Sequence, residues 1–197
     1  FTHPTDSLKV DRVRALVEEA GLEKPPSCEV AVLPGTRISP TGRITDEGLQ
    51  IRTLWGEMAY RLGGPQAFAL VADADAKGVS PGEVLLESVL QQVGPSIILF
   101  DETLHYVAKV AELGDAVGNM AKQTVAFLRE LTAVVDALPR NMLILSLTAS
   151  RTDQIGDDAQ YWLERMEHHT NRLAGACTPI EGTEIQEVVR RRLFDEV

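Results

Sequence analysis

The sequence is poor in cysteine: Cys28 and Cys177 are the only two in 197 residues, and no C-x-x-C spacing occurs. That excludes a disulfide framework and a thiolate zinc cluster, leaves a single disulfide open, and fits a reduced, cytoplasmic compartment. Long apolar runs are missing too. Nothing approaches the ~20 residues needed to cross a bilayer, and no basic-then-apolar leader opens the chain, so no membrane role is expected. Basic charge is scarce, with 19 Lys and Arg against 29 Asp and Glu and a net charge of -10. Such a balance argues against non-specific binding to nucleic acid or anionic lipid, although a local basic patch is compatible with it. Repeats, low-complexity tracts and linkers are absent as well. The most consequential absence is a phosphate-binding loop, since G-x-x-x-x-G-K-[ST] occurs nowhere.

What is present reads as one domain over 1–197. Hydrophobic residues make up 44% and charged residues 24%, a mix that builds one sizeable core rather than a disordered chain. The chain opens on Phe1 instead of Met and closes on "RRRLFDEV", an amphipathic pattern stopped in mid-turn. A piece of a longer protein is the expectation.

Val10, Val13, Val17 and Ala20 recur at helical spacing before Gly21, predicting a helix over 7–20. "IRTLWGEMAYRLGG" (51–64) predicts a helix ending at Gly63-Gly64, and Pro65 opens another that runs to about Lys77. "SPGE" (80–83) reads as a capping box before the apolar face of Leu85, Leu86, Val89, Leu90 and Val93. Further helical patterns cover 103–113, 115–137 and 157–173, the last with Trp162, Met166, Thr170 and Leu173 on one stripe. A final helix follows Thr183, burying Ile185, Val188, Val189 and Leu193. Between them lie three short apolar runs, at 28–34, 96–101 and 142–148. Runs that are apolar throughout belong to parallel strands covered on both faces, so the expected class is α/β with parallel crossovers and helices on both faces. The polar loop 37–48 is long enough to expect a functional or mobile segment.

The second run, "PSIILFDE" (95–102), ends in two adjacent acids. Ligands of open parallel sheets collect beyond the carboxyl ends of the strands. A carboxylate there can hold Mg²⁺ through water, and its neighbour can orient or deprotonate an attacking water. Asp101 and Glu102 would be that pair, in the manner of a Walker B motif. The plainer reading is that Asp101 or Thr103 caps the following helix and Glu102 favours its positive end.

"IRTLWGEMAYRLGG", "FALVADAD" (68–75), "GPSIILFDE" (94–102), "LILSLTAS" (143–150) and "PIEGTEIQEVVRRRLF" (179–194) stand in a set order. In that order they resemble the AAA+-like ATPases known as domain of unknown function 499, large bacterial proteins. "RTLWGE" and "RRRLF" carry most of the specificity. The resemblance implies a P-loop NTPase sheet of AAA+ (ASCE) type with spatial strand order 5-1-4-3-2. Residues 28–34 would be its second strand, 96–101 its third and 142–148 its fourth, with a helical lid from about 183. In such proteins the phosphate loop and its helix come just before the segment matching 1–20, so the first strand and that loop are missing from this sequence. The fourth strand is then left with a bare edge that invites another chain, and a homo-oligomer through that edge is expected.

For the intact protein the resemblance further implies ATP and Mg²⁺ as cofactors. It implies hydrolysis that drives remodelling of a macromolecular partner, protein or DNA, in bacterial phage defence. These 197 residues alone are expected to be inactive. Thr148 and Ser150, at the tip of the fourth strand, match the place of a polar sensor beside the γ-phosphate, although Ser and Thr often simply end strands. Arg190, Arg191 and Arg192 fan around a helix at about 100° per residue, so they cannot share one ligand. Arg190 or Arg191, and less readily Arg151, is a candidate for an arginine that stabilises transferring phosphate. The alternative is a solvated basic patch at a helix C-terminus. His168 and His169 diverge on a helix and His105 lacks zinc spacing, so no transition-metal site is expected. Cys28 and Trp55 read as core residues, and Arg52 or Glu57 as partners for the loop 37–48. A second function class stays open: a non-catalytic protein-interaction module on the same scaffold.

Overall fold

The computed structural model describes residues 11–23, 27–113, 119–147 and 164. Thr148, Ser150, Arg151, Arg190, Arg191, Arg192 and the two helices expected beyond residue 157 lie outside them. In chain order the elements are α1 (Asp11–Glu19), β1 (Glu29–Pro34), β2 (Arg43–Ile44), β3 (Gln50–Ile51), α2 (Leu54–Lys77), α3 (Gly82–Val93), β4 (Ser96–Asp101), α4 (Thr103–Glu112), α5 (Met120–Ala137) and β5 (Asn141–Leu145).

The three apolar runs form one parallel sheet in the order β1-β4-β5. Its register aligns Val30, Ile97 and Met142 in one row and Val32, Leu99 and Ile144 in another. The alternate residues, Ala31, Leu33, Ile98 and Phe100, are buried under the helices together with Trp55, Leu86, Leu90, Tyr106 and Phe127. Phe127 centres this layer, 5.7 Å from the Trp55 ring and 6.0 Å, edge-on, from Phe100.

Helices on both faces were expected. Among the described residues only one face is covered: Val30, Val32, Met142 and Ile144 stand 48%, 45%, 55% and 44% exposed. Strand order gives the reason. The chain crosses the sheet twice in the same direction, and right-handed crossovers taken in one direction fall on one face.

Helix α2 has the expected break. Gly63 and Gly64 leave helical geometry, Gly64 at φ 63° and ψ -153°, and Pro65 begins the second arm. The expected capping box does not form. Helix α3 starts at Gly82 behind Pro81, with no side-chain cap, while the Ser80 amide donates to Gln123 Oε1 and its hydroxyl to Glu130 Oε2. Contacts with α5 have outbid the local cap. The loop 37–48 is also more ordered than expected, because β2 pairs antiparallel with β3, which occupies the start of the run read as helix. Cys28 is partly exposed rather than buried.

The two outer edges of the sheet differ. Glu29 donates to the Pro95 carbonyl just before β4 and Gly35 to that of Asp101 at its end, so the intervening even residues of β1 point their backbone groups outward. One of these, the Val32 carbonyl, accepts from Arg61 Nη1. On the other side β5 pairs, among the described strands, only with β4.

Candidate functional site

Asp101 ends the middle strand, opposite Pro34 of β1, so the acid pair stands on the carboxyl rim of the sheet. The Gly35 amide donates to the Asp101 carbonyl at 2.7 Å and carries the ladder one residue past β1. A Cβ on Gly35 would sit 2.3 Å from the Glu102 carbonyl oxygen, so only glycine fits this crossing. Glu102 turns the chain from β4 into α4 with left-handed backbone, φ 50° and ψ 44°. It occupies the N-cap position of α4, yet no side chain caps that helix. The Thr103 hydroxyl instead points back to the Phe100 carbonyl at 3.3 Å. Side-chain capping therefore does not account for the two acids, while Glu102 does stand at the positive end of α4 as the plainer reading expects.

The Glu102 carboxylate reaches sideways. It accepts from Thr36 Oγ1 at 3.0 Å, across to the loop that follows β1. Lys109, in the second turn of α4, clamps that loop by donating to the carbonyls of Gly35 at 3.1 Å and Thr36 at 2.5 Å. On the β5 side, Ser146 donates its amide to Phe100 at 2.9 Å and accepts from Thr103 at 3.2 Å. Three strand tips are thus tied into one rim, with Thr36, Glu102 and Ser146 in sequence along it. Among the described residues no side-chain hydrogen bond holds Asp101, which is half-buried.

The donor set bears on the implied Mg²⁺. Two hard carboxylates stand side by side, and no cluster of three or more His, Cys, Asp or Glu exists among the described residues. An all-protein cage does not fit this rim. A site in which one carboxylate acts through water and the remaining ligands come from substrate phosphates does fit it. Asp101 would be that ligand.

A second constellation lies behind the rim. Thr53 caps α2 by accepting from the Gly56 amide at 3.1 Å, and its hydroxyl donates to Asp75 Oδ1 at 2.5 Å. Asp75, fully buried on the second arm of α2, also accepts from the amides of Thr53 at 2.9 Å and Arg52 at 3.0 Å. Burial pushes its carboxyl above the ordinary range, opposed by these hydrogen bonds. Gly56 is required alongside, because a Cβ there would lie 2.2 Å from Asp75 Oδ1. "RTLWGE" and "FALVADAD" are therefore the two halves of one buried joint. Trp55 is core, as expected, and the nearby Tyr106 phenol is pushed up by burial and by the charges of Asp75 and Glu57.

Glu57 makes the expected link to the loop 37–48. Buried itself, it binds Arg43 Nε at 2.8 Å and Arg61 Nε at 2.6 Å, while Arg43 also lies 5.2 Å over the Tyr60 ring. The Glu57 pairing raises the Arg43 guanidinium further above its usual range. Tyr60 donates to Glu47 Oε2 at 2.6 Å, which lowers the Glu47 carboxyl and raises the phenol. Arg52 does not join this group and turns outward to Gln50 Oε1 at 2.7 Å.

Thr36, Lys109 and Asp75 were not singled out from the sequence. For Thr36 a signal existed: it follows the Pro34-Gly35 stop of a parallel strand, and every such stop lies on the same rim. For Lys109 and Asp75 none did, because their partners are 73 and 22 residues away.

The chain matches no curated protein and no solved structure. Its family is shown directly: residues 6–185 match the DUF499 N-terminal domain, and the chain belongs to that family.

Proposed function

We propose that this chain is the Walker B part of an AAA+-like P-loop ATPase. In it, ATP hydrolysis would drive remodelling of a protein or DNA partner in the cytoplasm. The observation that supports the reading best is the placement of the acids. They stand on the carboxyl rim of the middle parallel strand, unused for side-chain capping, with the Glu102 carboxylate held by Thr36 from the neighbouring tip. Asp101 would hold Mg²⁺ through water, and the bound ion would neutralise charge developing on the phosphates. Glu102 would accept the proton of the water that attacks the γ-phosphorus as the bond to the β-phosphate oxygen breaks. Thr148 or Ser150 would sense the γ-phosphate, and Arg190 or Arg191 would offset charge on the transferring group. Phage defence is the setting that the family resemblance points to.

No phosphate loop occurs in these 197 residues, so the chain alone is expected to bind triphosphate weakly and not to turn it over. The test belongs in a longer protein that supplies the loop. There Glu102→Gln should lower kcat at least about 100-fold while leaving Mg-ATP binding intact, and Asp101→Asn should raise the Mg²⁺ concentration needed for half-maximal turnover. Turnover that survives both substitutions would end the reading.

Among the described strands β5 pairs only with β4, which favours a second reading, a protein-interaction module that pairs through that edge. It predicts self-association as concentration rises, read by sedimentation. A clean monomer at high concentration removes it.

A further inference from the structure

Glu102 turns the chain out of β4, and its carboxylate has one side-chain partner among the described residues, the Thr36 hydroxyl at 3.0 Å. Thr36 is exposed and lies past the end of β1, in a loop with no strand ladder of its own. A hydroxyl on such a loop keeps a carboxylate in place only if its own backbone is held. Two contacts hold it. The Gly35 amide donates to the Asp101 carbonyl at 2.7 Å and anchors the loop to the end of β4. The Lys109 ammonium donates to the carbonyls of Gly35 at 3.1 Å and Thr36 at 2.5 Å.

Lys109 stands about two turns further along α4 than Glu102. One short helix thus has the carboxylate at its start and, near its end, the cation that holds the carboxylate's partner. A lysine in a last turn also suits the helix dipole. That plainer role needs no target outside α4, whereas this ammonium is committed to two carbonyls of another loop.

We infer that Lys109 is a positioning residue for Glu102: by holding the Gly35 and Thr36 carbonyls, it keeps the Thr36 hydroxyl on the Glu102 carboxylate. The inference rests on the reading of Glu102 as the base that accepts a proton from the attacking water. Lys109 itself touches no reacting atom. A compact ammonium suits the task, because its donors meet two carbonyls at once and its bonds are charge-assisted. Misplacing a catalytic group by about 1 Å costs up to about 100-fold in rate, so loss of this clamp should be visible in turnover.

The test uses a longer protein that supplies the phosphate loop. Lys109→Met should lower kcat about tenfold and leave KM for Mg-ATP within about twofold. Thr36→Val should do the same, and the double variant should lose no more than either alone. Without nucleotide, hydrogen exchange read by mass spectrometry should quicken about tenfold over residues 34–38 in Lys109→Met and stay unchanged in α5. Unaltered kcat in Lys109→Met overturns the inference, as does a gain, or a rise in KM at unaltered kcat. So do losses that multiply in the double variant, or unchanged exchange over 34–38. If Lys109→Met does not fold, the exposed Thr36→Val decides, and full turnover in it overturns the inference. Glu102→Gln, run alongside, separates the two readings. An inactive Glu102→Gln beside a fully active Lys109→Met removes the positioning role alone. An active Glu102→Gln removes the base and its positioning together.

Discussion

Asp75 has no contact with solvent and three donors around it, from Arg52 and Thr53 at the start of α2. Truncation to Ala would strand two amides and a hydroxyl in the core, and a loss of about 3 kcal/mol is expected in urea unfolding. The raised carboxyl gives this residue a pH signature. The folded state holds the proton more tightly than the unfolded chain, whose ordinary value is 3.8. Between that value and the raised one the native state binds more protons, so stability should fall as pH rises through the window. Asp75→Asn should flatten that slope, which unfolding curves from about pH 4 to about pH 7 would reveal. Gly56→Ala is expected to strain the same joint by roughly 1–3 kcal/mol, because its methyl would meet Asp75 Oδ1. None of this was legible in the sequence. "RTLWGE" and "FALVADAD" stood out as pieces of a family pattern, but an acid among alanines at 72–76 does not announce that it will cap a helix from 22 residues away.

Elements were read well where a local signal governs them. The three apolar runs are the three strands, and Gly63-Gly64 followed by Pro65 breaks α2 where the sequence places the break. Gly64 sits in a backbone region essentially reserved for glycine, with nothing within 4 Å of where a methyl would stand. Gly64→Ala should therefore cost about 1–3 kcal/mol through backbone strain alone and lower the midpoint of thermal unfolding. Where tertiary partners compete, the local signal lost. Ser80 fits a capping box by spacing, yet Gln123 and Glu130 of α5 hold it instead. The hairpin of β2 and β3 was missed because two-residue strands have no periodicity to detect; the Arg43–Glu57 pair ties it to α2. The acid rim was only half legible: the acids announce themselves, while Thr36 and Lys109 depend on which loop the parallel register brings beside them.

For the molecule as a whole, α/β class and parallel sense followed from apolar runs alternating with helices, while the order of the three strands followed from the family resemblance. Coverage of the second face did not, since a strand's composition cannot say which segment will pack against it. The β5 edge, unpaired among the described residues, leads to a prediction at this scale. In a parallel ladder where the Ser146 amide faces β4, the Leu143 amide faces outward. Leu143→Pro removes an outward donor without touching the pairing to β4, and it should lower self-association measured by sedimentation. The Arg61 guanidinium on the Val32 carbonyl sets the form such association takes. With Arg61 on an outward carbonyl of β1, and β5 pairing among the described strands only with β4, head-to-tail growth of copies into a ribbon is disfavoured. The arrangement left to them is a two-fold pairing of like borders, which closes on itself once a pair has formed.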